Sequence, residues 1–297
     1  MEYSRLRFTQ SSWNDCNCYS QVGIALTYFN FNNPEELGSS WSAYLYAQPY
    51  LTYGKIQLHM RAGIGLSYLT KVYDEVDNPR DLFFSSPVGV LLVAALVTRR
   101  QIAEQWTIVL SANYQHISNG GIQQPNKGMN FPTLGLGSEY ILNPVDLRRR
   151  PRTVRKDRFV QTYASLFITT RSVDVPGSIS QVRKPLVGLQ TGFYKPVSYL
   201  SAVGIATEAY YDGSLIDQSG ESPWVVSGLI KHHLLFGRFD FNQAFGVYLF
   251  KDYANDHTIF QRYAIEYRIN PVLAVGFSLK AHLNVAEQMD PRVKFLF

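Results

Sequence analysis

Between residues 19 and 284 the chain repeats one pattern: segments of 10 to 16 residues that alternate in polarity, separated by clusters of Gly, Pro, Asn and Asp. No helical periodicity is sustained between them. Period-two alternation sends successive side chains to opposite faces, so each segment reads as a β-strand and the series as an antiparallel meander. The segments fall at 19–30, 41–51, 56–69, 82–97, 106–116, 131–142, 159–170, 185–194, 200–211, 224–235, 239–250, 259–269 and 272–284. Within 242–251, Ala244, Gly246 and Tyr248 hold one parity while Phe245, Val247 and Leu249 hold the other. Small or polar residues on one face and large apolar ones on the other suit a wall between a lumen and lipid. These 13 segments leave room for a short strand at either end. Bacterial single-chain barrels favour even counts, which predicts about 12–14 strands.

A soluble β-sandwich also alternates, so the membrane has to be argued separately. Aromatic residues are 14% of the chain and charged residues 17%, yet the mean hydropathy is only −0.12, too polar for a bundle of membrane helices. The longest apolar run, 88–97, falls far short of the roughly 20 residues a spanning helix needs. Strands of this length with Tyr50, Tyr53, Tyr68, Trp106, Tyr114 and Tyr140 near their ends fit a tilted wall with two aromatic girdles. The end Val293-Lys294-Phe295-Leu296-Phe297 resembles the assembly signal of outer-membrane barrels. The fold expected is therefore all-β, a single antiparallel transmembrane barrel over 1–297 in the bacterial outer membrane. Residues 1–8 lack the apolar stretch of a secretory signal, so the sequence is expected to be mature or truncated, with native sequence missing upstream or another strand closing the barrel.

The run 148–158 holds seven basic residues in eleven and divides the chain into halves, 1–147 and 159–297. It reads first as a solvated loop and, more sharply, as a contact for phosphate or an acidic partner. The net charge of +5 is compatible with an anionic lipid surface. No nucleic-acid partner is expected. Cys16 and Cys18, two apart in an assumed strand, lie near or beyond the limit for a bridge, and no His or Cys cluster accompanies them to suggest a metal. Neither a disulfide framework nor a metal site is expected.

Chemistry concentrates in His116-Ile117-Ser118-Asn119-Gly120-Gly121-Ile122-Gln123-Gln124-Pro125-Asn126-Lys127-Gly128-Met129-Asn130. Trp106, Ile108, Leu110, Ala112 and Tyr114 share a parity with His116 and Ser118, and that apolar parity must face lipid. Two residues apart on one strand face, His and Ser are about 6–7 Å apart at Cα, within reach of a hydrogen bond from the hydroxyl to the imidazole. The plainer reading is a polar pair at the water interface, where polarity costs little. Polar groups at lipid depth are costly and invite a functional account.

The stretch resembles the H-x-S-N-x-G and P-N-x-G pattern of PagL-type lipid A 3-O-deacylases and related acyloxyacyl hydrolases. Residues 5–143, including Asn33-Pro34-Glu35-Glu36-Leu37-Gly38 and Arg61-Ala62-Gly63-Ile64-Gly65-Leu66-Ser67-Tyr68, also resemble the longer members. The resemblance implies an esterase without metal or organic cofactor, acting on lipid A or lipopolysaccharide. It makes His116 the general base, Ser118 the nucleophile, and the Asn119 side chain with the Gly120 and Gly121 N–H groups the oxyanion donors. One position departs. Where the family has Glu, this chain has Asn130, which shares outward parity with Leu134, Leu136 and Tyr140. An amide can orient the imidazole but cannot offset imidazolium charge. Glu139, nine residues further along and of opposite parity, is no substitute.

Two rival expectations stand beside the esterase. Asn130 and the long second half suit a catalytically silent barrel that scaffolds an outer-membrane protein complex. A diffusion channel is the other, although no long acidic constriction loop supports it.

Overall fold

A computed structural model of the chain describes residues 1–120, 123, 125–145, 147, 150–152, 159–174, 181–219, 222–252, 257–283 and 285–297. The chain divides into two compact units, Met1–Arg152 and Thr153–Phe297.

The first unit is an antiparallel meander of seven strands: β1 (Glu2–Arg7), β2 (Ser20–Asn33), β3 (Gly38–Pro49), β4 (Ile56–Leu69), β5 (Val88–Gln101), β6 (Trp106–Ser118) and β7 (Met129–Tyr140). Each strand pairs with its sequence neighbours, which leaves β1 and β7 as edges. The sheet curls until inward side chains of distant strands meet. Phe29 on β2 packs edge-on against Phe131 on β7 at 5.0 Å between ring centres. Arg61 on β4 grips Glu2 on β1 through two nitrogens at 2.6 and 2.8 Å.

Between β1 and β2 lies a short helix, α1 (Gln10–Cys16). Thr9 caps it by accepting from the Ser12 N–H, and Asn17 closes it at φ 53°. Cys16 and Cys18 are bridged, contrary to the expectation from sequence, with their Cα atoms 5.0 Å apart. That expectation assumed a strand. A helix end followed by a left-handed residue brings the two closer than an extended chain does. The buried Trp13 of α1 donates to the Pro151 carbonyl at 3.1 Å, and Arg150 donates to Gln10 and to the Phe8 carbonyl. This part of the basic run is thus docked on α1, while Arg148, Arg149 and 153–158 lie outside the described residues.

The second unit is a closed antiparallel barrel of eight strands: β8 (Gln161–Asp174), β9 (Gln181–Pro196), β10 (Ser201–Asp212), β11 (Trp224–Phe236), β12 (Phe239–Phe250), β13 (Ile259–Asn270), β14 (Leu273–His282) and β15 (Val285–Leu296), with α2 (Ser214–Ser219) between β10 and β11. Pairing of β15 with β8 shuts the ring. Eight strands leave an interior that side chains fill. Here Glu208 accepts from Arg262 at 2.5 Å and Arg292 at 3.3 Å, and Asp290 accepts from the same two arginines at 2.8 and 2.5 Å. The Phe167 ring packs against Arg262 and Arg292, and the rings of Tyr210 and Phe260 pack against Lys280.

The antiparallel all-β barrel class expected from alternation is what the chain adopts, but the count and grouping differ. Among the described residues all 13 expected strands are present, joined by β1 and β15 at the ends, and these 15 strands form two sheets where one barrel was expected. Alternation reports which face a side chain takes; it does not report which strand pairs with which. The connection 141–160, with Pro144, Pro151 and the basic run, separates β7 from β8, and β8 takes β15 as its partner.

Candidate active site

Strand β6 carries the site to its last residue. Alternate positions from Trp106 to Tyr114 are exposed, while Thr107, Gln115 and Ile117 are buried. His116 and Ser118 continue the exposed parity, on the apolar wall. On β7 the same face holds Asn130 with Leu134 and Leu136, which are 89% and 78% exposed. Antiparallel register sets His116 directly opposite Asn130. Cross-strand partners on one face bring their Cβ atoms within about 5 Å, and strand pairing therefore assembles this site without any long-range fold.

The resulting contacts form a relay. His116 Nε2 lies 3.0 Å from Ser118 Oγ, and His116 Nδ1 lies 2.7 Å from Asn130 Oδ1. An amide oxygen can only accept, so the proton of the neutral imidazole sits on Nδ1 and Nε2 is left with a lone pair facing the serine hydroxyl. Hydroxyl, imidazole and amide are thereby each within hydrogen-bond distance.

The loop after β6 holds this arrangement through contacts that sequence reading did not single out. Gly128, with φ +62°, reaches so close that a Cβ there would lie 2.9 Å from His116 Cε1 and 3.0 Å from Ser118 Cβ. Its glycine identity is therefore fixed twice, by backbone conformation and by space. The N–H groups of Lys127 and Gly128 donate to the carbonyls of Leu82 and Phe83 at 3.1 and 3.2 Å. Asp81, fully buried, turns that segment by accepting from the N–H groups of Phe83 and Phe84, and burial pushes its carboxyl pKa up.

The Asn119 side chain is placed differently from the role the family resemblance implies. It takes the inward parity, is 7% exposed, and directs its amide nitrogen to Ser85 Oγ at 2.9 Å and the Gln123 carbonyl at 2.8 Å. Its own N–H donates to Asn126 Oδ1 at 3.1 Å, and Ser85 Oγ donates to the Gln123 carbonyl at 2.8 Å. Asn119 and Asn126 thus stitch the loop together. Gly120, at φ +69°, turns the chain off the strand beside Ser118, and Gly121 lies outside the described residues. Glu139 faces the interior in an ion pair with Arg99, away from His116.

Comparison with known proteins gave matches of two kinds. A family profile described as lipid A 3-O-deacylase (PagL) matches residues 2–139, and one described as acyloxyacyl hydrolase, C-terminal domain, matches residues 160–297. Among solved structures the chain is similar to the Pseudomonas putida toluene transporter TodX, at 7% identity and TM-score 0.20 over 99% of this chain and 80% of that one. It is also similar to an engineered variant of the Rh. blastica porin, at 10% identity and TM-score 0.22 over 94% and 91%. Likenesses at that level bear on neither site nor function. No curated protein sequence matches. The two profiles leave only the first residue and 140–159 uncovered, and on that ground the chain belongs to the PagL family of lipid A 3-O-deacylases.

Proposed function

We propose that this chain is an integral outer-membrane esterase that removes the 3-O-linked acyl chain of lipid A with Ser118, His116 and Asn130. The observation that carries the reading is the relay itself, placed on a face shared with Leu110, Tyr114, Leu134 and Leu136. A substrate that is part of the bilayer reaches such a wall laterally, without a pore. The site also lies at the end of the sheet that carries the longest connection between its strands, 70–87, together with 34–37 and 119–128; the opposite end carries 8–19, 50–55 and 102–105. Longer loops mark the extracellular side of outer-membrane barrels, where lipid A resides.

In the mechanism, Ser118 Oγ attacks the ester carbonyl as its proton passes to His116 Nε2. The tetrahedral oxyanion is met by the backbone N–H of Gly120, since the Asn119 amide is engaged with Ser85 and Gln123. Collapse expels the sugar 3-oxygen, which takes the proton from Nε2. Water then repeats the sequence on the acyl-serine and releases the fatty acid. Asn130 holds the tautomer throughout but supplies no charge to the imidazolium.

The neutrality of Asn130 is what favours the second reading, a silent barrel serving an outer-membrane assembly. Rapid acid quench of the full chain turning over lipid A, followed by peptide mass spectrometry, separates the two. The esterase reading expects an acyl adduct on Ser118 that is lost in His116→Ala. Intact lipid A and an unmodified Ser118 would favour the scaffold.

A further inference from the structure

The closed barrel holds a second serine–histidine–amide set on its outer wall. Ser201 Oγ lies 2.7 Å from His232 Nε2, and the Gln243 amide nitrogen lies 3.3 Å from His232 Nδ1. The three sit on the consecutive strands β10, β11 and β12. His232 is the register partner of Gln243, as His116 is of Asn130. All three take the outward parity. Ser201 continues that of Val203 on β10; His232 lies between Ile230 and Leu234 on β11, and Gln243 between Phe241 and Phe245 on β12. Ile230 and Phe245 are 71% and 70% exposed, so this is the lipid-facing surface.

We infer that Ser201 and His232 form a second acyl-transfer site, and that its substrate is the carboxylic ester of a diacyl phospholipid. Depth and side support the substrate class. Ser201 follows the turn 197–200 directly, and β11 joins β12 through the two-residue turn 237–238. Gln243 is four residues from the start of β12, about 13 Å along the strand and about 10 Å in depth at a tilt near 40°. Phe239 and Tyr267, 5.0 Å apart, supply outward aromatic rings nearer that same end. Such rings mark the membrane boundary, and the ester carbonyls of a diacyl lipid lie just inside it. The turns at this end, 197–200, 237–238 and 271–272, are the short ones that face the periplasm in outer-membrane barrels, so the site addresses the inner leaflet. Lys195, outward and opposite Val203, supplies a cation near the turn for a lipid phosphate.

The chemistry balances without a co-reactant other than water. Turning the Gln243 amide end for end presents Oε1 to a proton on Nδ1, and Nε2 then has its lone pair for Ser201. A bond forms between Ser201 Oγ and the acyl carbon while the hydroxyl proton goes to Nε2. The bond from acyl carbon to glycerol oxygen breaks, and that oxygen takes the proton. Water, deprotonated by His232, then cleaves the acyl-serine and leaves a fatty acid. Gln243 is a positioning residue, and the site stands independently of the reading of Ser118.

The test uses the full chain carrying Ser118→Ala, reconstituted in vesicles of phosphatidylethanolamine and phosphatidylglycerol and treated with an alkyl fluorophosphonate. An adduct on Ser201 is expected by peptide mass spectrometry. Its rate should fall at least tenfold in His232→Ala, fall in Gln243→Leu and recover in Gln243→Glu. Fatty acid release from the same vesicles should cease in Ser118→Ala/Ser201→Ala. A folded chain, judged by its unheated gel mobility, with no adduct on Ser201 would overturn the proposal, as would an adduct indifferent to His232→Ala. Release from lipid A but not from phospholipid vesicles would overturn the assigned substrate.

Discussion

Asn130 holds the orienting position beside His116 with a neutral amide, accepting at 2.7 Å what a carboxylate would accept with charge. Geometry is therefore complete and electrostatics are not. Asn130→Glu should raise the rate of lipid A deacylation, because the imidazolium that forms as Ser118 loses its proton would then face an anion. A tenfold rise corresponds to about 1.4 kcal/mol and is readily measured; a fall would mean that the amide is required. Gly128 gives the opposite outcome. A methyl group there would meet His116 Cε1 at 2.9 Å in a backbone conformation that disfavours it, so Gly128→Ala should displace the imidazole. Misplacement of about 1 Å costs on the order of a hundredfold in rate. Deacylation by Gly128→Ala should drop by that order while the chain stays folded by circular dichroism. That His116, Ser118 and Asn130 come together was legible in the sequence because strand parity and the motif point to the same residues. The reason for Gly128 was not legible, because the clash it avoids is with side chains ten or more residues away.

At the scale of elements, the site depends on two loops bound to each other. Ser85 accepts from the Asn119 amide and donates to the Gln123 carbonyl, and Asp81 shapes the segment whose carbonyls receive Lys127 and Gly128. Ser85→Ala removes one hydrogen bond and strips the Asn119 amide of an acceptor, at about 1 kcal/mol for each bond lost. Its kcat should fall several-fold with KM little changed, and unchanged kcat would show that the brace is dispensable. Strand positions were readable from alternation, with the bounds of β4 and β12 shared, although the start expected at 82 falls six residues ahead of β5. Loop contacts have no period to read. The Cys16–Cys18 bridge was missed for a related reason: α1 is seven residues long, too short to announce itself, and a strand was assumed in its place.

For each unit as a whole, closure is the property that sequence concealed. Alternation is identical in the seven strands that form an open sheet and the eight that form a ring. Filling of the ring was equally hidden, since Glu208, Arg262, Asp290 and Arg292 meet only once it closes. A lumen packed with ion pairs and aromatic rings argues against the diffusion-channel reading for this unit. Arg262→Leu would leave Glu208 and Asp290, both fully buried, sharing the one remaining arginine. Removing one member of a buried ionic set costs about 3–5 kcal/mol. The variant should unfold at a clearly lower temperature than the wild type in detergent, and an unchanged transition would show the network to be energetically neutral.

The central claim is that Ser118, on the lipid-facing wall, removes the 3-O-linked acyl chain of lipid A. Mass spectrometry of lipid A incubated with the purified chain, beside Ser118→Ala, measures this most directly. The wild type is predicted to yield lipid A lighter by one 3-O-acyl group together with the free fatty acid, and Ser118→Ala to leave the substrate whole. Equal deacylation by Ser118→Ala, or a product lacking an acyl chain from another position, would contradict it.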